Sequence, residues 1–178
     1  PLAGDIFTTI NCQAAVNTPI NAGAQGQIGW PTTGRSVSQS YNPYIDPSTD
    51  ARDYAKNGHK GDDFPGQMKD PVFATTGGKI VETGYDKPTS LGGFGNYMII
   101  KGIDGKYYLY GHLGDNVGKE QTAYTKKAGD TVLPGEQIGY LGNSGTATGP
   151  HLHLGISTGS RLSDFYNNST TTINPCLL

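Results

Sequence analysis

The chain has 178 residues, with 13 basic and 15 acidic side chains and a formal net charge of −2. That length supports one domain with a real core, and the charge balance excludes the basic profile of a nucleic-acid binder or a membrane-surface protein. No stretch approaches the roughly 20 apolar residues that a membrane span requires. The chain opens on Pro1 with no charged-then-apolar leader, so a mature form or an excised fragment is expected.

Taken in chain order, residues 1–29 are small, polar and Gly-rich ("NTPINAGAQGQIG") and read as a linker or N-terminal arm, with a neighbouring module removed. Residues 30–178 read as the globular domain, beginning at Trp30-Pro31. "SYNPYIDPSTDARDYAKNG", with Pro43, Pro47 and Asn57-Gly58, predicts a long surface loop. From residue 71 strand signals follow closely. "VFATT" and "KIVETG" flank Gly77-Gly78, a hairpin-like break. "NYMIIKG" and "KYYLYGHL" flank "IDG", a second hairpin signal. "DTVLPGEQIGYLGNSG" carries strand pieces broken at Pro134-Gly135, and "HLHLGI" is the next strand. With 27 Gly, 11 Tyr and no window of helical period, the expected fold is mainly β: a single antiparallel sheet or sandwich domain with a substrate groove and long loops. Cys12 and Cys176 are the only two cysteines, and they read equally as a disulfide that pins the ends in an oxidising setting or as two unrelated buried thiols. They are too few for a thiolate zinc site.

The chemistry concentrates in the four histidines. On a strand, residues i and i+2 share a face, so His151 and His153 project together while Leu152, Leu154 and Ile156 face the core. In "GHKGDDF", His59 and Asp63 share one side in an extended segment, whereas Asp62 points away. His112 ends "YYLYGHL", and strict alternation puts Tyr108, Tyr110 and His112 on one face. A catalytic zinc takes about three His and carboxylate ligands and leaves a position open. His59, Asp63 and one histidine of the "HLH" strand supply that set. His112 and the other strand histidine are then spare imidazoles with pKa values suited to proton transfer. There is no HExxH to provide a glutamate base. Singly, each of these signals is ordinary, since a lone loop histidine is usually just solvated. Together they gather every histidine of the chain beside glycines or in short strands.

The ordered set "GHKGDDF", "PVFATTGGKIVETGY", "GNYMIIKG", "YYLYGHL", "GDTVLPGEQIGYLGNSGTATGPHLHLGI" and "INPCLL" resembles the lysostaphin/LytM-type zinc endopeptidases, which cut peptide cross-links of bacterial peptidoglycan. The resemblance covers about residues 57 to 176. It implies Zn²⁺ held by His59, Asp63 and His153. It implies His112 and His151 as the catalytic pair, acting as general acid or base and as stabiliser of the tetrahedral intermediate. The partner would be a stem or cross-bridge peptide of peptidoglycan, and the location extracellular, in the cell wall or on a phage virion. The loop 41–58 and the segment 114–128 are expected to wall the groove. This chain lacks the arginine-x-histidine-proline stretch of many relatives, and its 114–128 segment is longer than in compact members.

Three other functions were weighed. A catalytically silent relative that binds cell wall or regulates other wall hydrolases would have lost ligands, and here the set is intact. A sugar-binding module would use tyrosine faces, with Tyr110 as the first site residue to watch, although strand packing explains tyrosines as well. A D-Ala carboxypeptidase of another type spaces its His and Asp more widely.

Overall fold

The computed structural model describes residues 29–42, 58–89, 92–115, 123–166 and 171–177. Among the described residues nine strands follow in order: β1 (Gly61–Pro65), β2 (Pro71–Phe73), β3 (Gly78–Asp86), β4 (Gly95–Gly102), β5 (Tyr107–Leu113), β6 (Thr131–Val132), β7 (Gln137–Tyr140), β8 (His151–Ser157) and β9 (Thr172–Ile173). Helical turns among the described residues are confined to two short 3₁₀ segments, Leu162–Phe165 and Pro175–Leu177. The large sheet runs β1-β8-β5-β4-β3-β6, with β9 paired to β8, and every pairing is antiparallel. The mainly β, antiparallel expectation therefore holds, and so does the β4–β5 hairpin.

One expected hairpin is absent. The segment 71–73 does not pair with β3 across Gly77-Gly78; it pairs with β7 in a separate two-stranded sheet. Both edges of β3 next to the Gly-Gly pair are already taken: Gly78 and Lys79 pair with Gly102 and Lys101 of β4 on one side and with Val132 and Thr131 of β6 on the other. The chain therefore passes at Gly77-Gly78 from one sheet to the other and does not turn back.

Alternation along the strands divides the apolar residues between two faces. One face carries Phe64, Ile80, Met98, Ile100, Tyr108, Tyr110, Leu152, Leu154 and Ile156, which pack on Val72, Ala74 and Ile138 of the small sheet region. Trp30 closes this core edge-on against Phe64, with ring centroids 5.8 Å apart. Leu152, Leu154 and Ile156 are all fully buried, and each contributes about 1.5–3 kcal/mol by leaving water. The opposite face carries a smaller cluster, Phe94, Tyr97, Ile99, Leu109 and Phe165. The histidines occupy the rest of that second face.

The expected arm at 1–29 and the loop 41–58 lie almost entirely outside the described residues, as does Cys12. Cys176 is not a free thiol.

The β4–β5 turn supplies a test of what fixes the sheet register. Asp104 accepts hydrogen bonds from Lys106 Nζ (2.7 Å), Tyr108 Oη (2.8 Å) and the Lys106 backbone N–H (3.1 Å). Partial burial works against its charge, but these donors outweigh it and hold the Asp104 carboxyl below its ordinary value of 3.8. A group with a depressed folded pKa stabilises above the unfolded value and loses that contribution as pH falls. Asp104→Asn is expected to lower stability by about 1 kcal/mol near neutral pH. In denaturant titrations at several pH values, its difference from wild type should shrink as pH drops below 3.8.

Candidate metal centre and catalytic cleft

Strand pairing brings the centre together. In the β1–β8 register, Asp63 lies opposite His153, and in the β5–β8 register Gly111 lies on the other side of His153. His59 precedes β1 and is held by an antiparallel bridge to Asn42, with both backbone hydrogen bonds made. The segment is extended, so His59 and Asp63 reach the same side. Asp62 points the other way: its Oδ1 accepts the Tyr41 N–H at 2.6 Å, and its Oδ2 lies 3.0 Å from Cys176 Sγ.

The donor atoms of three side chains converge. His59 Nε2 is 3.2 Å from Asp63 Oδ1 and 3.2 Å from His153 Nδ1, and His153 Nδ1 is 3.0 Å from Asp63 Oδ1. A tetrahedral ion with ligands at about 2.0–2.2 Å spaces them by about 3.3–3.5 Å, within a few tenths of an ångström of this triangle. The proton positions point the same way. His59 Nδ1 lies 3.1 Å from the Ser40 carbonyl oxygen, which only accepts, so Nδ1 carries the hydrogen. In the neutral ring Nε2 then directs a lone pair at the carboxylate and at His153. Electron-rich atoms that face one another fit a cation between them.

Charge and burial shape the titration of the cluster. Burial disfavours the Asp63 carboxylate, but hydrogen bonds from His153 and His59 prevail and hold its pKa far below the ordinary range. Burial also opposes charge on His59, yet the hydrogen bond to Asp63 raises its pKa above the usual imidazole value. His153 is the most enclosed ligand candidate, and burial pushes its pKa down despite Asp63. Its Nε2 is buried without a hydrogen-bond partner among the described residues.

The other two histidines stand beside the triangle. His151 Nε2 is 3.6 Å from Asp63 Oδ2, and the rings of His112 and His151 are 4.6 Å apart. His151 Nδ1 donates to the Gly149 carbonyl and His112 Nδ1 to the Ser144 carbonyl, each at 2.8 Å. Both rings thereby turn Nε2 towards the cleft. Burial, with added repulsion from His151 and His153, pushes the His112 pKa down to about 3, so this ring is neutral at ordinary pH. All four histidines line one cleft.

His112 reaches it by a route that alternation does not predict. Asn96 pairs with Leu113 and Met98 with Tyr110, so β5 carries one extra residue at Gly111-His112. His112 has φ +59°, in the left-handed region. The bulge turns its ring to the face opposite Tyr108 and Tyr110, which are buried in the main core. Strict alternation through Tyr108, Tyr110 and His112 is thus corrected. Tyr110 is no site residue: its hydroxyl lies 2.8 Å from Thr75 Oγ1, under the other face of the sheet.

Walls not anticipated from sequence complete the cleft. Phe94 stacks at 4.5 Å on Tyr166 and 5.2 Å from His153, with Phe165 beside them. Gln39, Thr146 and Thr148 line other parts of the rim. The "GGFG" run before β4 was the available signal for Phe94. Most of the segment 114–128 and of the loop 41–58 lies outside the described residues.

Comparison with known proteins decides the family. Residues 57–165 match peptidase family M23. The chain belongs to that family. Lysostaphin of Staphylococcus simulans is 34% identical over 114 residues, 63% of this chain and 20% of the relative. The DD-carboxypeptidase/endopeptidase Mpg of Neisseria meningitidis is 36% identical over 95 residues, 53% of this chain and 19% of the relative. This M23 chain therefore spans about a fifth of the length of these curated relatives. The solved catalytic domain of the antimicrobial peptidase lysostaphin superposes with a TM-score of 0.58 at 30% identity, covering 79% of this chain and 88% of that one. A zinc-containing peptidase from Vibrio cholerae shares the fold, with a TM-score of 0.62 at 22% identity, over 84% of this chain and 39% of that one.

The packing of the centre is testable without activity. A Cβ on Gly61 would lie 2.4 Å from the Leu154 carbonyl oxygen and 2.6 Å from His153 Nε2. Gly61→Ala is expected to displace His153 or open the β1–β8 pairing and to destabilise the fold by about 1–3 kcal/mol. Thermal denaturation and the His153 ring resonances check this.

Proposed function

We propose that this M23 chain is a zinc-dependent endopeptidase that hydrolyses peptide bonds in the stem or cross-bridge peptides of bacterial peptidoglycan. The observation that carries the reading is the triangle of His59 Nε2, Asp63 Oδ1 and His153 Nδ1 with sides of 3.0–3.2 Å, flanked by two imidazoles that each aim Nε2 into the same cleft. The relatives named glycyl-glycine endopeptidase, lysostaphin and DD-carboxypeptidase/endopeptidase support a substrate of this class. Such a substrate places the enzyme outside the cytoplasm, in the wall or on a virion that penetrates it. No helix among the described residues is long and apolar enough to cross a membrane.

His59, Asp63 and His153 would hold the zinc ion. When bound, zinc supplies Lewis acidity, which acidifies water and polarises a carbonyl. The residues of the chain do the rest. The cleft between the Phe94–Tyr166 wall and the histidines holds an extended peptide across the sheet. His151 and His112 present unprotonated Nε2 atoms to the reacting centre. One takes the proton of the attacking water and returns it to the leaving amine. The other takes a proton from solvent at Nε2, donates it in a hydrogen bond that stabilises the tetrahedral oxyanion, and keeps it through the step. The carbonyls of Gly149 and Ser144 keep both rings in the tautomer this requires.

Metal content and wall digestion test the proposal together. Wild type purified without added metal is expected to hold about one zinc per chain and to release amines from purified cell walls. His153→Ala is expected to lose both. His151→Ala and His112→Ala are expected to keep zinc while the rate falls by about 10²–10⁴. No zinc in the purified chain, and no cleavage after zinc is supplied, would replace this reading with that of a silent wall-binding regulator.

A further inference from the structure

We infer that Ser144 and Asn96 are positioning residues for His112: together they clamp the bulge that turns this imidazole into the cleft and keep its proton on Nδ1. The inference rests on the proposed catalytic role of His112 for its kinetic consequence, but not for its structural content.

The clamp is a closed ring of hydrogen bonds under the bulge. Ser144 Oγ donates to the Leu113 carbonyl at 2.8 Å and accepts the Asn96 backbone N–H at 2.9 Å. Asn96 Nδ2 donates to the same Leu113 carbonyl at 3.0 Å. Asn96 and Ser144 are both fully buried, so water offers no substitute partners. Leu113 directly follows His112, so two donors fix the Leu113–Gly114 peptide, one residue beyond the strained one. The peptide that enters it is fixed too, because the His112 N–H donates to the Phe94 carbonyl at 2.7 Å.

The same serine sets the ring. The main-chain oxygen that accepts from His112 Nδ1 is that of Ser144. Its position depends on where the 143–146 loop sits, and Ser144 Oγ is the side-chain contact that ties this loop to β4 and β5. The loop lies hard against Gly95: an added Cβ there would come within 2.4 Å of Ser144 Oγ and 2.5 Å of the Gly145 nitrogen. Removing Oγ leaves the Asn96 N–H buried without its acceptor and the Leu113 carbonyl with one donor fewer. A non-glycine residue in the left-handed region persists only where its surroundings impose it. Relaxing φ of His112 from +59° would carry the ring back towards the core face. None of the zinc-holding residues takes part in the hydrogen bonds of the clamp; the His153 ring stands edge-on to that of His112 at 6.1 Å, on β8. A clamp on His112 therefore predicts a defect in turnover that leaves the metal alone.

The experiment compares wild type, Ser144→Ala and Asn96→Ala as zinc-loaded full chains. Thr75→Val serves as the control for simple loss of a buried polar group. Thr75 is also fully buried, and its Oγ1 lies 2.8 Å from Tyr110 Oη on the far face of the sheet. Two readouts are taken. Imidazole ¹⁵N resonances report the His112 tautomer whether or not any substrate is cut, and kcat and KM are measured on a cross-bridge peptide that wild type cleaves. Wild type is expected to show His112 protonated on Nδ1. Ser144→Ala and Asn96→Ala are expected to show a mixed or Nε2-protonated ring. Their kcat should fall by about tenfold to a hundredfold, with KM and zinc content unchanged. Thr75→Val should lose stability but keep the wild-type ring signal and kcat. An unchanged His112 ring in both clamp variants, or an unchanged kcat, overturns the inference. Equal loss of kcat in Thr75→Val also overturns it, as a general effect of destabilisation. If wild type cleaves nothing, the proposed function fails, and the ring resonances still decide whether the clamp exists.

Discussion

The site depends on one register: Asp63 opposite His153 in the β1–β8 pair. Side chains alternate along a strand, so a slip by one residue exchanges the two faces completely. Asp62 would then replace Asp63, and Leu152 or Leu154 would replace His153. The same pairing buries Phe64, Leu152, Leu154 and Ile156 in the main core. The register is therefore secured by apolar burial on one face, while the chemistry sits on the other. At about 1.5–3 kcal/mol for each buried aliphatic or aromatic side chain, these residues hold the register whatever the three imidazoles around one carboxylate contribute. The protein does not need the cluster to be favourable by itself.

Three such groups are unstable neighbours without a counter-ion. Asp63 offers one negative charge, and its two oxygens face His59, His151 and His153. Without metal, the hydrogen bonds from His59 and His153 require at least one extra proton in the cluster; burial lowers both imidazole pKa values, Asp63 outweighs it at His59, and burial prevails at the more enclosed His153. A divalent cation would remove the need for that proton and would use the lone pairs that now point at one another. Its binding would therefore release protons and weaken in acid. The same low-dielectric setting that keeps His112 neutral also strengthens any charge it meets in a bound substrate.

Much of this was legible in the sequence because it rests on local periodicity. "HLHLGI" alternates cleanly, and its two faces are where the period of two puts them. The choice of Asp63 over Asp62 follows from the same rule in "GHKGDDF". What escaped were features that depend on partners distant in sequence. The strand at 71–73 reads as half of a hairpin with β3, but its pairing with β7 depends on residues some 65 positions away. The tyrosine of "YYLYGHL" reads as a site neighbour, yet the extra residue at Gly111-His112 sends Tyr110 and His112 to opposite faces. Gly111 alone in that stretch is unusual for a strand, and it was the one local sign of the bulge. The aromatic wall of Phe94, Phe165 and Tyr166 joins two segments some 70 residues apart. Asp86 binds both the Phe94 N–H and the Tyr166 hydroxyl, a link that no pattern in either segment announces.

The abundance of glycine has a second meaning once the site is known. Read as composition, 27 glycines indicate turns. Three of them, Gly61, Gly111 and Gly155, instead surround His153. The missing side chain of Gly61 leaves space the ring needs, since a Cβ there would come 2.6 Å from it; at Gly111 and Gly155 a Cβ would make ordinary contacts, 3.5 Å from the His153 Cβ and 3.6 Å from the ring. A full imidazole can thus be buried between two strands of a packed sheet, a place where protein interiors leave few voids. Burial in turn removes water from Nε2 and leaves Nδ1 as the atom that can act. Glycine placement, not histidine alone, makes His153 a directed donor.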